Sequence, residues 1–217
     1  GPCFFMSPLT RTIVYIDGFN FYFGSLKKTP YKWLNLQSLF CDVFKDRNDI
    51  VAIKYYTARV APTPADPNVS NRQDAYLRAL QETCPIVTIH YGHFLRHAVS
   101  LENTQPPPSI CRVWKNEEKG SDVNIAVHLV NDAWKGTFET AIIVSNDSDL
   151  TEALRIVKQE HHKTVGLVTP GAPKRKTSRQ LLRYADFVTP IRSTALRNHQ
   201  LPDLIPGTSI TKPAIWK

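Results

Sequence analysis

The sequence predicts one α/β domain in which helices cover both faces of a mostly parallel sheet. Short β-branched, apolar runs at residues 12–16 and 140–144 are typical of strands that are buried on both faces. Segments with helical periodicity separate such runs, most clearly at residues 121–134, where Ile125 and Leu129 fall on one stripe. This alternation of buried strands and amphipathic helices is typical of doubly wound folds.

The other elements continue the alternation along the chain. Strands are also predicted at residues 50–59, 86–95, 164–169 and 187–188, with a short extra strand at 110–114. Helices are also predicted at 19–26, 36–44, 71–82 and 150–160, with a helical turn at 180–184. Three prolines, Pro106 to Pro108, indicate an exposed loop at 100–109, which is either a spacer or a partner site.

Length and composition fit one domain with short extensions. The chain has 217 residues, of which 42% are hydrophobic and 21% charged. We divide it into an N-terminal extension at 1–10, a domain at 11–190 and a C-terminal tail at 191–217, and interpret the residues before Met6 as an expression remnant. No apolar run approaches the roughly 18 residues that a membrane span needs. The four cysteines are widely separated, which favours a cytoplasmic location over a disulfide framework or a zinc site.

Acidic side chains follow two of the predicted buried strands. Asp17 ends the strand at 12–16, and Asp147 and Asp149 follow the strand at 140–144. The carboxyl ends of parallel strands share one edge of the sheet, and ligand sites form there. A helix that follows a strand begins at that edge, so we expect Asp122, at the start of the 121–134 helix, to lie with the other three.

Four carboxylates at one edge predict a site for a divalent metal. Clustered carboxylates raise one another's pKa, and bound Mg²⁺ or Mn²⁺ removes that penalty. Such ions activate water and stabilise charge on a phosphoryl group. Each aspartate alone has another interpretation, as a helix N-cap or a turn residue. We interpret Asn20 as orienting Asp17, with a cap of the first helix as the alternative.

Basic residues are expected to surround this acidic centre. The net charge of +8 favours a polyanionic partner, of which nucleic acid is the commonest. Lys119 precedes Asp122, and a basic group follows the strand at 164–169. That group consists of Lys174, Arg175, Lys176 and Arg179. At this edge the basic side chains would bind a nucleic-acid backbone, with a solvated, mobile loop as the alternative.

Three blocks of the sequence resemble the signature of the NYN domain family, which are PIN-like nucleases that include the LabA-like group. They are residues 16–20 (IDGFN), 119–124 (KGSDVN) and 144–150 (VSNDSDL). The resemblance implies a PIN-like Rossmannoid fold and ribonuclease activity that depends on Mg²⁺ or Mn²⁺. It assigns metal binding to Asp17, Asp122, Asp147 and Asp149. Asn20 and Ser145 match the polar positions beside them, and Ser145 is also expected to contact RNA.

We therefore predict a metal-dependent ribonuclease, and specifically an endonuclease. One alternative is an RNA-binding or adaptor domain that has kept the fold without turnover. His128 favours that alternative, because many family members carry a further aspartate at its position. A phosphatase acting on small substrates is the third hypothesis, but the chain lacks a D-x-D-x-T block after the first strand. By analogy, the family also suggests a homodimer.

Overall fold

A computed structural model describes residues 8–216 of the protein, so the predicted expression remnant lies outside the described residues. The strands are β1 (Thr10–Asp17), β2 (Asn48–Thr57), β3 (Val87–Tyr91), β4 (His93–Glu102), β5 (Ile110–Lys119), β6 (Thr140–Val144), β7 (Thr164–Val168) and β8 (Phe187–Val188). Six of them form one sheet in the order β3-β2-β1-β6-β7-β8, whereas β4 and β5 pair separately.

All pairings in the six-stranded sheet are parallel. Ile16 of β1 lies opposite Tyr55 of β2 on one side and Val144 of β6 on the other. The carboxyl ends of these central strands are therefore aligned at one edge of the sheet. The α/β class with a mostly parallel sheet, as predicted from the sequence, is confirmed.

Helices cover both faces of this sheet. They are α1 (Gly18–Phe21), α2 (Leu36–Val43), α3 (Val69–Thr83), α4 (Ser121–Trp134), α5 (Thr151–Arg155), α6 (Arg179–Leu182) and α7 (Ser193–Asn198). A π-helical turn, Tyr22–Leu26, extends α1, and a second one, Ile156–Glu160, extends α5. Within residues 8–216, no helix is both long enough and apolar enough to cross a membrane.

Each face of the sheet has its own apolar core. Alternate residues of β1 point to opposite faces, so Val14 and Ile16 belong to one core and Ile13 and Tyr15 to the other. The helix α4 buries its apolar stripe in the second core. The C-terminal tail packs on the first core through buried side chains, which are Leu196, Leu201, Ile205 and Ile210.

A buried polar network joins α4 to the sheet. The Asp132 carboxylate, on α4, accepts hydrogen bonds from the Tyr15 hydroxyl at 2.7 Å and from Lys54 Nζ at 2.5 Å. Burial and then the bond to Asp132 raise the pKa of Tyr15. Lys54 compensates the charge of Asp132, and the two hydrogen bonds link the helix to β1 and β2.

The region between residues 86 and 119 differs from the sequence prediction. The strand predicted at 86–95 is confirmed over Val87–Tyr91 but is wrong beyond it, because β3 ends at Tyr91 and β4 starts a separate antiparallel ribbon with β5. Gly92 allows this change of direction, since a Cβ atom there would lie 2.6 Å from the carbonyl oxygen of Lys119. The predicted short strand at 110–114 extends to Lys119. We call β4 and β5 together the β-arm.

Candidate active site

Asp17 and Asp147 lie at the same edge of the sheet and are joined by one serine. The Ser145 hydroxyl donates to Asp17 Oδ2 at 3.1 Å and accepts from the backbone N–H of Asp147 at 3.1 Å. Ser145 directly follows β6 and is fully buried, so both of its bonds are shielded from water. The parallel neighbours β1 and β6 thus present two carboxylates side by side. Ser145 is a buried positioning residue at this point rather than an exposed contact for RNA.

Asn20 ties the same two segments together from the other side. Its backbone N–H donates to Asp17 Oδ1 at 2.9 Å, so Asp17 is the N-cap of α1. Its side-chain Oδ1 accepts from the backbone N–H of Asn146 at 3.3 Å. Asn20 therefore holds the loop after β6 against the start of α1, and it is Asp17 that caps the helix.

The other two predicted aspartates lie at this edge with exposed or half-exposed side chains. Asp147 Oδ1 accepts from the backbone N–H of Asp149 at 3.0 Å, which caps a short 3-10 turn and leaves the Asp149 side chain in solvent. Asp122 lies in the first turn of α4, whose N-cap is Gly120 with a φ of 92°. Asp122 is therefore no cap, and its carboxylate forms no hydrogen bond to the described residues.

Glu118 is an acidic neighbour that the sequence reasoning missed. It lies near the end of β5, and its Oε1 accepts from the backbone N–H of Ser121 at 3.1 Å. Its charge raises the pKa of Asp17, which places the two carboxylates near each other. The strand predicted from the sequence ended at residue 114, so the local pattern did not predict that Glu118 lies at this edge.

The electrostatics of Asp17 indicate an excess of negative charge. Burial, together with the charges of Glu118 and Asp147, raises the pKa of Asp17 to about 6. The hydrogen bonds from Asn20 and Ser145 lower the pKa but only partly offset the burial. A cation at this position would relieve both the burial cost and the repulsion between carboxylates.

The donor set fits Mg²⁺ or Mn²⁺, although the carboxylates do not converge on one point. Within residues 8–216, no three histidine, cysteine, aspartate or glutamate side chains are placed to hold a metal ion together. Mg²⁺ commonly keeps several water ligands and takes only one or two protein carboxylates plus substrate phosphates. Asp17 and Asp147, both hard oxygen donors, are sufficient for that mode of binding.

A basic loop is anchored beside the carboxylates. Asn146 Nδ2 donates to the Lys176 carbonyl oxygen at 3.0 Å, and Asn146 Oδ1 accepts from the backbone N–H of Ser178 at 2.7 Å. The side chains of this loop are exposed and form no ion pair with the described residues; they are Lys174, Arg175 and Lys176. Arg179 is exposed at the start of α6, whereas Lys119 lies 3.7 Å from Glu117, which partly compensates its charge.

His128 packs on the sheet. Its Nδ1 is 2.9 Å from the Tyr56 hydroxyl, and its ring lies 4.7 Å from that of His90, centroid to centroid. Burial and then the charge of Lys54 lower its pKa, which favours the neutral ring. The structure therefore gives His128 a packing role in a small aromatic cluster.

Comparisons with known proteins agree with this architecture. The model of the NYN domain matches residues 11–192. The chain is 34% identical over 234 residues to the 6-hydroxy-3-succinoylpyridine 3-monooxygenase HspA of Pseudomonas putida (strain DSM 28022 / S16), covering 95% of this chain and 75% of that enzyme. A solved structure of a protein of unknown function from Vibrio parahaemolyticus RIMD 2210633 has the same fold, with a TM-score of 0.56 at 18% identity, covering 89% of this chain and 97% of that one. The chain therefore belongs to the NYN domain family, a family of PIN-like nucleases.

Proposed function

We propose that the protein is a metal-dependent ribonuclease that hydrolyses RNA phosphodiester bonds at the sheet edge holding Asp17 and Asp147. The observation that carries the proposal is the serine-bridged carboxylate pair with Glu118 close by, because none of the three carboxylates forms an ion pair with a described side chain. Membership of a nuclease family supports it. A protein that only bound RNA would gain nothing from acidic groups that face phosphates.

The chain's own residues would hold the metal and the substrate in defined roles. Asp17 and Asp147 would ligate Mg²⁺ or Mn²⁺, with Asp122 and Asp149 available as further or water-mediated ligands. The bound ion would supply a water of lowered pKa and stabilise charge on the phosphoryl group. Ser145 and Asn20 fix the orientation of Asp17, as partners of metal ligands commonly do.

Features on both sides of the carboxylates suit a continuous RNA strand. The basic loop follows β7 on one side of the central strands, and the β-arm follows β3 on the other. On the β-arm, Arg96 stacks on the exposed ring of Trp114, 4.9 Å from its centroid, and Arg96 Nε is buried with no hydrogen-bond partner among the described residues. The exposed Trp114 ring offers a surface on which a base of single-stranded RNA can stack. An RNA that extends beyond the carboxylates on both sides would be cut internally, which favours an endonuclease.

The test is cleavage of labelled single-stranded and hairpin RNA in Mg²⁺, in Mn²⁺ and in EDTA. We expect internal products in either metal and none in EDTA. Salt-sensitive binding without cleavage in any metal would instead assign the protein to the RNA-binding modules, which is the main alternative function.

A second candidate function follows from the similarity to the Pseudomonas enzyme. That relative is named a monooxygenase of 6-hydroxy-3-succinoylpyridine, and the similarity covers 95% of this chain. The matching assay supplies this substrate with air and an electron donor and follows its loss together with oxygen uptake. Turnover there, with no RNA cleavage, would favour the second candidate over the first.

A further inference from the structure

An aromatic pocket of about 170 Å³ opens next to Asp17. It lies between α1 with its π-helical extension, α3 and the end of the tail. Gly18, the neighbour of Asp17, forms part of its wall. Its rings come from six residues, which are Phe19, Tyr22, Phe23, Tyr55, Tyr76 and Trp216. Such a lining suits a flat ring, which stacks on aromatic side chains.

Tyr55 offers a hydroxyl to whatever fills the pocket. The Tyr55 side chain is 8% exposed, yet its hydroxyl forms no hydrogen bond to the described residues. Burial raises its pKa, and the charge of Asp17 raises it further, so the hydroxyl is a neutral donor near the acidic centre. The hydroxyl faces the pocket with its proton available, so it can donate to a polar atom of a bound ligand.

Lys32 offers a positive charge at the same pocket. Its ammonium donates to the Thr29 carbonyl oxygen at 2.5 Å, and none of the described carboxylates lies within ion-pair distance. Burial lowers its pKa. The neighbouring cation, Arg72, is already paired with Asp66. An anionic group would compensate Lys32 and form a charge-assisted hydrogen bond with it.

We propose that this pocket binds a planar heteroaromatic ring that carries an acidic group. The ring stacks on the aromatic wall, a polar ring atom accepts from the Tyr55 hydroxyl, and the acidic group binds Lys32. A nucleotide and a heteroaromatic carboxylic acid share this chemistry. If the ligand is a nucleotide, the proposal rests on the ribonuclease function and makes the pocket its base-binding subsite.

The C-terminal tail, which lies beyond the residues that match the family model, supplies part of the pocket wall. Trp216 lies 6.4 Å from Tyr76 and 6.3 Å from Trp33, centroid to centroid, whereas the family model ends at residue 192. Residues of the tail and residues of the family domain would therefore both contact the ligand and select it.

The experiment is calorimetric titration of the full chain in EDTA with adenosine 5′-monophosphate and, separately, nicotinate. Ribose 5-phosphate, which lacks the ring, and nicotinamide, which lacks the acid, are the matched controls. We expect one of the two acids to bind at least tenfold more tightly than its control. The probe that binds identifies the source of the ligand. Binding of neither acid, or equal binding of a control, would overturn the proposal.

Two lysine variants locate the binding site. Lys32→Gln is expected to weaken binding at least tenfold, whereas Lys28→Gln, at an exposed lysine outside the pocket, leaves it unchanged. Tyr55→Phe keeps the ring and is expected to weaken binding severalfold. Thermal melting checks that both proteins are folded. If Lys32→Gln then bound the ligand as tightly as the unchanged protein, the assignment would be refuted. Asp147→Asn separates the two proposals, because it should abolish RNA cleavage and leave ligand binding intact.

Discussion

Replacing Asp17 by asparagine is predicted to stabilise the protein at neutral pH. Asp17 is only 9% exposed and has Glu118 and Asp147 nearby, so its ionised form is disfavoured in the folded state. Asparagine keeps the shape and can still accept the hydrogen bond from the backbone N–H of Asn20. A residue that we propose to hold the metal thus destabilises the fold, which is a common cost of an active site.

The magnitude follows from the shift in the pKa of Asp17. A rise from 3.8 to about 6 corresponds to about 3 kcal/mol, at roughly 1.4 kcal/mol for each pH unit. The folded state binds the proton more tightly than the unfolded chain, so stability falls as the pH rises from about 4 through about 6. Asp17→Asn should therefore match the unchanged protein below about pH 4 and exceed it by up to about 3 kcal/mol above pH 7. For a chain of this size that is roughly 6–12 °C in Tm.

The assay is thermal and urea unfolding between pH 4 and 8 in EDTA. Asp46→Asn, at an exposed aspartate in the turn before β2, is the control and should show no such pH-dependent gain. Added Mn²⁺ should raise the Tm of the unchanged protein more than that of Asp17→Asn. A variant that is destabilised by the same amount at every pH would refute the electrostatic reasoning.

Three further predictions follow from the structure. Asp132→Asn leaves a mostly buried lysine uncompensated and should cost about 2–4 kcal/mol in urea unfolding, whereas Asp74→Asn, in an exposed pair with Arg59 3.0 Å apart, should cost under about 1 kcal/mol. Gly92→Ala puts a Cβ atom 2.6 Å from a backbone oxygen of Lys119, and should lower stability by about 1–3 kcal/mol and slow RNA cleavage, because the β-arm must shift. Glutamine at all of 174–176 should weaken RNA binding and reduce the slope of log affinity against log salt by up to about 2; an unchanged slope would place the RNA elsewhere.

The local pattern was sufficient for the elements that pack a regular set of apolar residues on a core. The helix at 121–134 and the strand at 140–144 have the observed bounds, because their apolar periodicity is set by the core on which they pack. The bounds of the β-arm strands were predicted wrongly, because both faces of the arm reach solvent and its residues therefore show no apolar alternation. The packing of Leu201 and Trp216 on the core depends on contacts between distant parts of the chain, which a short sequence window does not contain.

The candidate site was accessible from the sequence only where residues lie next to strand ends. Asp17 and Asp147 follow buried strands, and parallel topology alone brings them to one edge. Glu118 could not be found this way, because it reaches the site through the length of β5. The bridging role of Ser145 was also hidden, since it depends on the register between β1 and β6.

The rate of RNA cleavage by Asp147→Asn in Mn²⁺, beside that of the unchanged protein, tests the central claim most directly. We expect a loss of at least about a hundredfold, because Asp147 is one of the two carboxylates proposed to hold the metal. Asp46→Asn should cut RNA at the rate of the unchanged protein. Equal cleavage by Asp147→Asn would show that the serine-bridged carboxylates are not the catalytic centre.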